Sequence, residues 1–167
     1  MSYRIGYSRD VHRLEKGLPL ILGGIPIKSD FGLLGHSDAD CVLHTVAEAI
    51  IGALGLGDLG THFPDDDPKY KGVSSDYFVI AARDFLEKKQ YKINNIDVTV
   101  ILERPLLAPY IKEMQMNIAK LLKVSSSQVN IKATRNEGLG FIGRGEAIAS
   151  ECVALIQKKE EVIKKYL

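Results

Sequence analysis

Asp38-Ala39-Asp40-Cys41-Val42-Leu43-His44-Thr45-Val46-Ala47-Glu48-Ala49-Ile50-Ile51-Gly52-Ala53-Leu54 reads as an amphipathic helix. Val42, Val46, Ala49, Ile50 and Ala53 recur near a period of 3.6, which predicts a helix over 39–54. Asp38 is its expected N-cap. Gly55, Gly57 and Gly60 stop it and open an acidic loop that runs through Asp67-Pro68. Upstream, residues 30–38 form a Gly- and Asp-rich loop. Before that, Leu20-Ile21-Leu22 and Ile25-Pro26-Ile27 flank Gly23-Gly24, the pattern of a hairpin, with Pro26 placing the second run at a sheet edge. Residues 3–12 read as a strand.

Downstream, Ser75 to Lys89 reads as a second helix. Ile93 to Leu102 carries Ile96-Asp97-Val98-Thr99-Val100-Ile101, a buried strand. Pro105 opens a third helix to about Lys123, with Pro109 in its first turns. Val129 to Thr134 is a further strand. Residues 145–156 mix small and apolar side chains without a clean period, and Gln157 to Leu167 is a Lys/Glu-rich solvated helix. Strands and helices alternate around one hairpin. That order predicts an α/β sandwich, a mixed sheet with helices on one face. No repeat or linker divides residues 1–167, so one domain is expected.

Lys plus Arg number 22 and Asp plus Glu 21, so the chain lacks the basic excess of a nucleic-acid binder. No apolar run approaches the roughly 20 residues of a membrane helix. Met1-Ser2-Tyr3-Arg4-Ile5 lacks the apolar stretch expected of a signal peptide. Cys41 and Cys152 lie far apart without metal spacing, so both are expected as small core residues in a reducing compartment. The expected location is the cytoplasm, with a plastid-type compartment left open.

The histidines are His12, His36, His44 and His62. In Asp10-Val11-His12 the period of a strand puts both polar side chains on one face. His44 follows Asp40 by four residues, one helix turn. Two histidines and a carboxylate with one position open are the pattern of a catalytic zinc. The plainer alternative is that His12 ends a strand and His44 faces solvent, since spacing alone does not join them. Gly35-His36-Ser37-Asp38-Ala39-Asp40 stands at a helix entrance, where free N–H groups attract phosphate, or is simply a capped loop. Leu56-Gly57-Asp58-Leu59-Gly60 and Phe63-Pro64-Asp65-Asp66-Asp67 suit hydroxyls or a hard cation, or are solvated turns. Thr134-Arg135-Asn136-Glu137 after a strand suits a magnesium–phosphate site, and equally a turn.

These motifs run in one order from about residue 3 to 156. With Asn95-Ile96-Asp97-Val98-Thr99, Arg104-Pro105, Ala108-Pro109, Leu139-Gly140-Phe141 and Gly143-Arg144-Gly145-Glu146, the chain resembles the 2-C-methyl-D-erythritol 2,4-cyclodiphosphate synthase family. The resemblance implies a phosphorus–oxygen lyase acting on 4-diphosphocytidyl-2-C-methyl-D-erythritol 2-phosphate, with release of CMP. It implies zinc on Asp10, His12 and His44, and a second divalent cation, magnesium or manganese, on Glu137. His36 would stabilise the transition state, and Ser37 would contact phosphate. Asp58, Leu59, Gly60, Phe63, Asp65 and Asp67 would border the erythritol. The resemblance also implies a homotrimer with strands meeting at its centre, residues 145–156 among them. A neighbouring subunit would supply the cytidine pocket from Leu102, Pro105, Leu106, Leu107, Ala108, Ala133 and Thr134. Phe141, Arg144 and Glu146 would line a central cavity able to take isoprenoid diphosphates. Two positions depart from the family pattern. Ser8 stands where glycine is usual, and Arg135 where a phosphate-binding, transition-state-stabilising threonine is usual. A metal-dependent phosphohydrolase, or a binding module without turnover, are the alternatives on the same residues.

Overall fold

The computed structural model describes residues 2–64 and 66–160. Strand β1 (Tyr3–Lys16) alternates: Gly6 and Ser8 are buried, while Tyr3, Ile5, Tyr7 and Val11 point outward. It outruns its predicted end at His12 because Leu14–Lys16 pair with a short edge strand. Hairpin strands β2 (Leu20–Leu22) and β3 (Ile25–Ile27) turn through Gly23 and Gly24, both at positive φ (61° and 77°), and make a sheet of their own. β4 (Phe31–Leu33) is that edge strand, inside the segment expected as loop.

Helix α1 (Cys41–Leu54) is apolar and buried along most of its length. Its N-cap is Asp40, not Asp38: the Asp40 side chain accepts from the Val42 and Leu43 N–H groups. Gly55 ends it in the left-handed conformation at φ 70°, which a Cβ would strain. Two short turns follow, α2 (Leu59–His62) and a 3₁₀ turn at Pro68–Tyr70. Then come α3 (Asp76–Lys88) and β5 (Tyr91–Ile101). Helix α4 (Ile111–Leu122) starts six residues later than expected. Pro105 and Pro109 lack N–H donors and hold Arg104 and Ala108 out of the helical region, so the helix begins only past the second proline. β6 (Val129–Thr134) matches its prediction. A short helix, α5 (Gly140–Gly143), leads into β7 (Ala147–Lys158).

The main sheet has the order β4-β1-β7-β5-β6. All neighbours are antiparallel except β5 and β6, joined in parallel across α4, so the sheet is mixed as expected. β7 lies between β1 and β5, with α1 packed over it. That position explains its composition: Ser150, Cys152 and Ala154 are buried on the face where a helix passes close. Gln157 and Lys158 continue β7 and are not part of a helix; residues 161–167 of the expected tail lie outside the described residues. Gly6 permits the tightest approach, since a Cβ there would stand 1.8 Å from the Ala49 carbonyl oxygen. That contact sets α1 against β1 and brings His44 beside Asp10 and His12. Cys41 and Cys152 are both fully buried thiols without a disulfide, as expected. Among the described residues no helix is long and apolar enough to cross a membrane.

A candidate metal centre beside an open cleft

The alternation of β1 turns Asp10 and His12 toward the helix layer, and the first turn of α1 presents His44 to them. Asp10 Oδ2 lies 3.0 Å from His12 Nε2 and 3.1 Å from His44 Nδ1, and the two nitrogens are 3.4 Å apart. A tetrahedral ion bound at 2.0–2.1 Å requires ligand separations of about 3.3–3.4 Å. The triangle is therefore within a few tenths of an ångström of what such an ion needs. The donor chemistry agrees. His12 Nδ1 faces the Leu34 carbonyl oxygen at 3.0 Å, which can only accept, so the proton sits on Nδ1 and the lone pair on Nε2. Side-chain exposures of 27%, 19% and 15% for Asp10, His12 and His44 leave one side of the triangle open.

Burial pushes the Asp10 carboxyl up, but the hydrogen bonds and charges of His12 and His44 outweigh it and hold the group well below the usual carboxylate range. Burial lowers His12, and the Asp10 partner more than reverses that, so the imidazole binds protons more tightly than a free one. Three ligand atoms thus converge with an electrostatic bias toward a cation.

The triangle opens into a cleft of about 460 Å³. Gly35, His36 and Ser37 line its rim, with Leu59, Gly60 and Phe63 across from them. Phe63 is buried in a cluster of edge-on aromatic rings with Tyr70 and Tyr77. Asp58 caps α2, its Oδ1 accepting from Thr61 N at 2.7 Å and Thr61 Oγ1 at 2.6 Å, and these bonds lower its pKa. Asp67 caps the 3₁₀ turn through Lys69 N at 2.9 Å, away from the cleft lining, and Asp65 lies outside the described residues. Asp40, one turn before His44, does not face the cleft. It is fully buried and spends its oxygens on backbone N–H groups of the hairpin and of α1. Sequence reasoning missed Ser75, whose hydroxyl reaches His44 Nε2, and Glu48, which lines the cleft four residues after His44. A polar residue at i+4 from a ligand on an otherwise apolar helix was the available signal for Glu48.

A second group of candidates gathers elsewhere. The parallel register sets Ile101 opposite Thr134, and Leu102 N donates to Thr134 O at 3.0 Å, so the ends of β5 and β6 stand together. Leu102 and Leu107 are buried, whereas Leu106, Ala133, Thr134 and Arg135 are exposed. Glu103 Oε1 accepts from Asn136 N at 2.8 Å and Gly138 N at 3.3 Å and holds the turn that carries Glu137, at φ 53°. Phe141 is on α5, and Arg144 just past it pairs with Glu146 at 2.6 Å. Pro105, Ala108, Arg135, Glu137, Phe141 and Arg144 do not line the cleft. Within one chain, then, Glu137 does not join Asp10, His12 and His44.

A family model described as the YgbB family matches residues 3–157. The chain belongs to the YgbB family. Among curated relatives, this YgbB chain is 52% identical to a 2-C-methyl-D-erythritol 2,4-cyclodiphosphate synthase of Alkaliphilus metalliredigens, over 92% of this chain and 96% of that protein. Among solved structures it resembles IspF of Plasmodium falciparum in a CDP complex, with a TM-score of 0.84, 34% identity, and coverage of 95% and 98%. It also resembles the bifunctional IspDF of Campylobacter jejuni, with a TM-score of 0.92 and 36% identity, covering 95% of this chain and 43% of that one.

Proposed function

We propose that this YgbB-family chain acts as a single domain that converts 4-diphosphocytidyl-2-C-methyl-D-erythritol 2-phosphate to 2-C-methyl-D-erythritol 2,4-cyclodiphosphate and CMP, a lyase step of non-mevalonate isoprenoid synthesis in the cytoplasm. The observation that carries this reading is the Asp10–His12–His44 triangle, open on a cleft, in a chain half identical to a synthase of that name. Asp10, His12 and His44 would hold zinc, which when bound supplies Lewis-acid polarisation of a phosphate oxygen. The residues around it do the rest. His36 and Ser37 at the rim donate to phosphate oxygens and offset the charge that builds during attack. The Asp58 oxygen not used in capping accepts from erythritol hydroxyls. Leu59, Gly60 and Phe63 keep the chain of the substrate bent, so that its two phosphates meet; ring closure is intramolecular, and holding this shape is itself catalytic. An oxygen of the 2-phosphate bonds to the β-phosphorus, and the bond from that phosphorus to the bridging oxygen breaks. The bridging oxygen leaves on CMP. The attacking phosphate oxygen is already an anion at neutral pH, so no general base is required.

Glu137 would carry the second divalent cation, with Arg135 contributing fixed positive charge to the diphosphate. Since those residues and the Leu102–Ala108 segment stand apart from the triangle in one chain, a complete site needs a second copy to supply them. Tyr3, Ile5, Tyr7 and Val11 on β1, with Val153 on β7, leave an apolar sheet face exposed, which suits burial in a trimer. The test is turnover of the cytidylyl substrate with mass identification of the product, with and without chelator. Cyclisation adds no water to the product; a product heavier by one water marks hydrolysis and refutes the reading. CMP release that survives thorough metal removal refutes it as well.

A further inference from the structure

Ser75 stands at the N-cap of α3, yet its side chain caps nothing. A serine there ordinarily accepts from the first free N–H groups of its helix. This one is fully buried and faces the other way. Its hydroxyl donates to Asp38 Oδ1, its backbone N–H donates to Asp38 Oδ2 at 3.0 Å, and its oxygen lies 2.9 Å from His44 Nε2.

The protons can be placed by counting. A carboxylate only accepts, so the N–H and O–H of Ser75 both point at Asp38. The hydroxyl has one proton, already committed, and offers a lone pair to His44. Nε2 must then be the donor. A neutral imidazole has one N–H, which leaves the lone pair on Nδ1, the atom that faces Asp10 and His12. Ser37 Oγ, 3.1 Å from the same Nε2, is a second acceptor for that proton. Ser37 and Asp38 precede α1 and Ser75 precedes α3, so the arrangement also ties His44 to the helix beside its own.

We propose that Asp38 and Ser75 are positioning residues that fix the tautomer and ring orientation of His44 for metal binding. Resting on the reading of Asp10, His12 and His44 as a metal site, the proposal concerns how tightly and in what geometry that site holds an ion. The full-length protein carrying Ser75→Ala, Ser75→Thr or Asp38→Asn is titrated with zinc against a chromophoric chelator, and with cobalt(II) to read the visible ligand-field bands. Thermal unfolding of the metal-free forms is followed alongside. Losing an outer partner of a metal-bound histidine typically weakens affinity about 10–100-fold. Ser75→Ala is expected to weaken zinc binding by that factor and to shift the cobalt bands. Asp38→Asn is expected to do the same, because its amide can donate to the hydroxyl and reverse the proton order. Ser75→Thr keeps the hydroxyl and should stay within about threefold of wild type. Zinc affinity within twofold of wild type in both Ser75→Ala and Asp38→Asn overturns the proposal; so does an equal loss in Ser75→Thr, which would point to packing. If Ser75→Ala fails to fold, Asp38→Asn against Ser75→Thr decides the matter by the same criteria. A wild-type protein that binds neither ion overturns the metal site itself, a result distinct from failure of the positioning role of Asp38 and Ser75.

Discussion

Replacing Asp40 with alanine removes one side chain and strands four backbone donors. Oδ1 accepts from Gly23 N, Val42 N and Leu43 N, each at 3.0 Å, and Oδ2 from Gly24 N at 2.6 Å. Two of these N–H groups open α1 and two form the turn of the β2–β3 hairpin. Asp40 is fully buried, so solvent does not replace it without movement. Loss of the cap costs about 0.5–2 kcal/mol, and each buried donor left unmade costs about 1–3 kcal/mol. The alanine variant also escapes the desolvation of a buried carboxylate, and a hairpin that swings outward rehydrates its two amides. The net expectation is a loss of about 3 kcal/mol, a large part of the 5–15 kcal/mol that holds a typical domain. For a chain of this size that corresponds to about 6–12 °C in Tm. Asp40→Asn keeps an acceptor for three of the donors but turns an amide NH2 toward Gly24 N, so about 1–2 kcal/mol is expected. The assay is urea unfolding followed by far-ultraviolet circular dichroism, at fixed protein concentration and with chelator, so that neither assembly nor metal contributes. A pH arm supplies the sign. Burial, against the hydrogen bonds from Gly24, Leu43 and Gly23, raises the Asp40 carboxyl from 3.8 to about 6. Between those values the native chain keeps a proton that the unfolded chain has released. Wild-type stability should therefore fall, relative to Asp40→Asn, as pH rises from about 4 to about 6. An alanine variant within about 0.5 kcal/mol of wild type would refute the claim that this carboxylate locks helix to hairpin.

His44→Ala should abolish metal binding and turnover while the circular dichroism spectrum is kept, because the triangle lies at a cleft and not in the core; global unfolding would mark the metal as structural. Gly6→Ala places a Cβ 1.8 Å from the Ala49 carbonyl oxygen and 2.6 Å from Ala53 N, so α1 must move off β1. Overpacking of this kind costs about 1–3 kcal/mol or more, and metal affinity should drop with it because the same helix carries His44; unchanged unfolding and unchanged zinc titration would contradict the packing described. Zinc competes with the proton that Asp10 helps His12 to hold above its ordinary value of 6.5, the pull of burial notwithstanding. Affinity should therefore weaken steadily as pH is lowered from 8 toward 5.5 in a chelator competition, whereas a flat profile would exclude His12 as a ligand.

Much of the fold was legible because its signals are local and periodic. The spacing in Val42, Val46, Ala49, Ile50 and Ala53 announced α1, Gly23-Gly24 announced the hairpin, and Ile96–Ile101 announced β5. β7 was not legible from periodicity, because covering by α1 and pairing on both edges select small residues in place of an alternating pattern. β4 is three residues long and exists through its pairing with Leu14–Lys16, which no short window reveals. At the site, Asp10 and His12 share a face by strand geometry alone, but their meeting with His44 depends on where Gly6 lets α1 cross β1. The N-cap went to Asp40 and not Asp38 for a tertiary reason: only Asp40 can also reach the hairpin amides. Asp38 was thereby free to engage Ser75, a residue whose place at a helix start hides its role.

The two thiols have a practical consequence. Cys41 opens α1 beside the Asp40 lock, and Cys152 lies mid-sheet in β7; both are shielded completely, and burial raises the pKa of each. A maleimide added to the native protein can modify either one only during an opening excursion. Their separate labelling rates, resolved by peptide mass mapping, make an internal clock with two hands, one timing release of the helix start and the other the parting of the central strands.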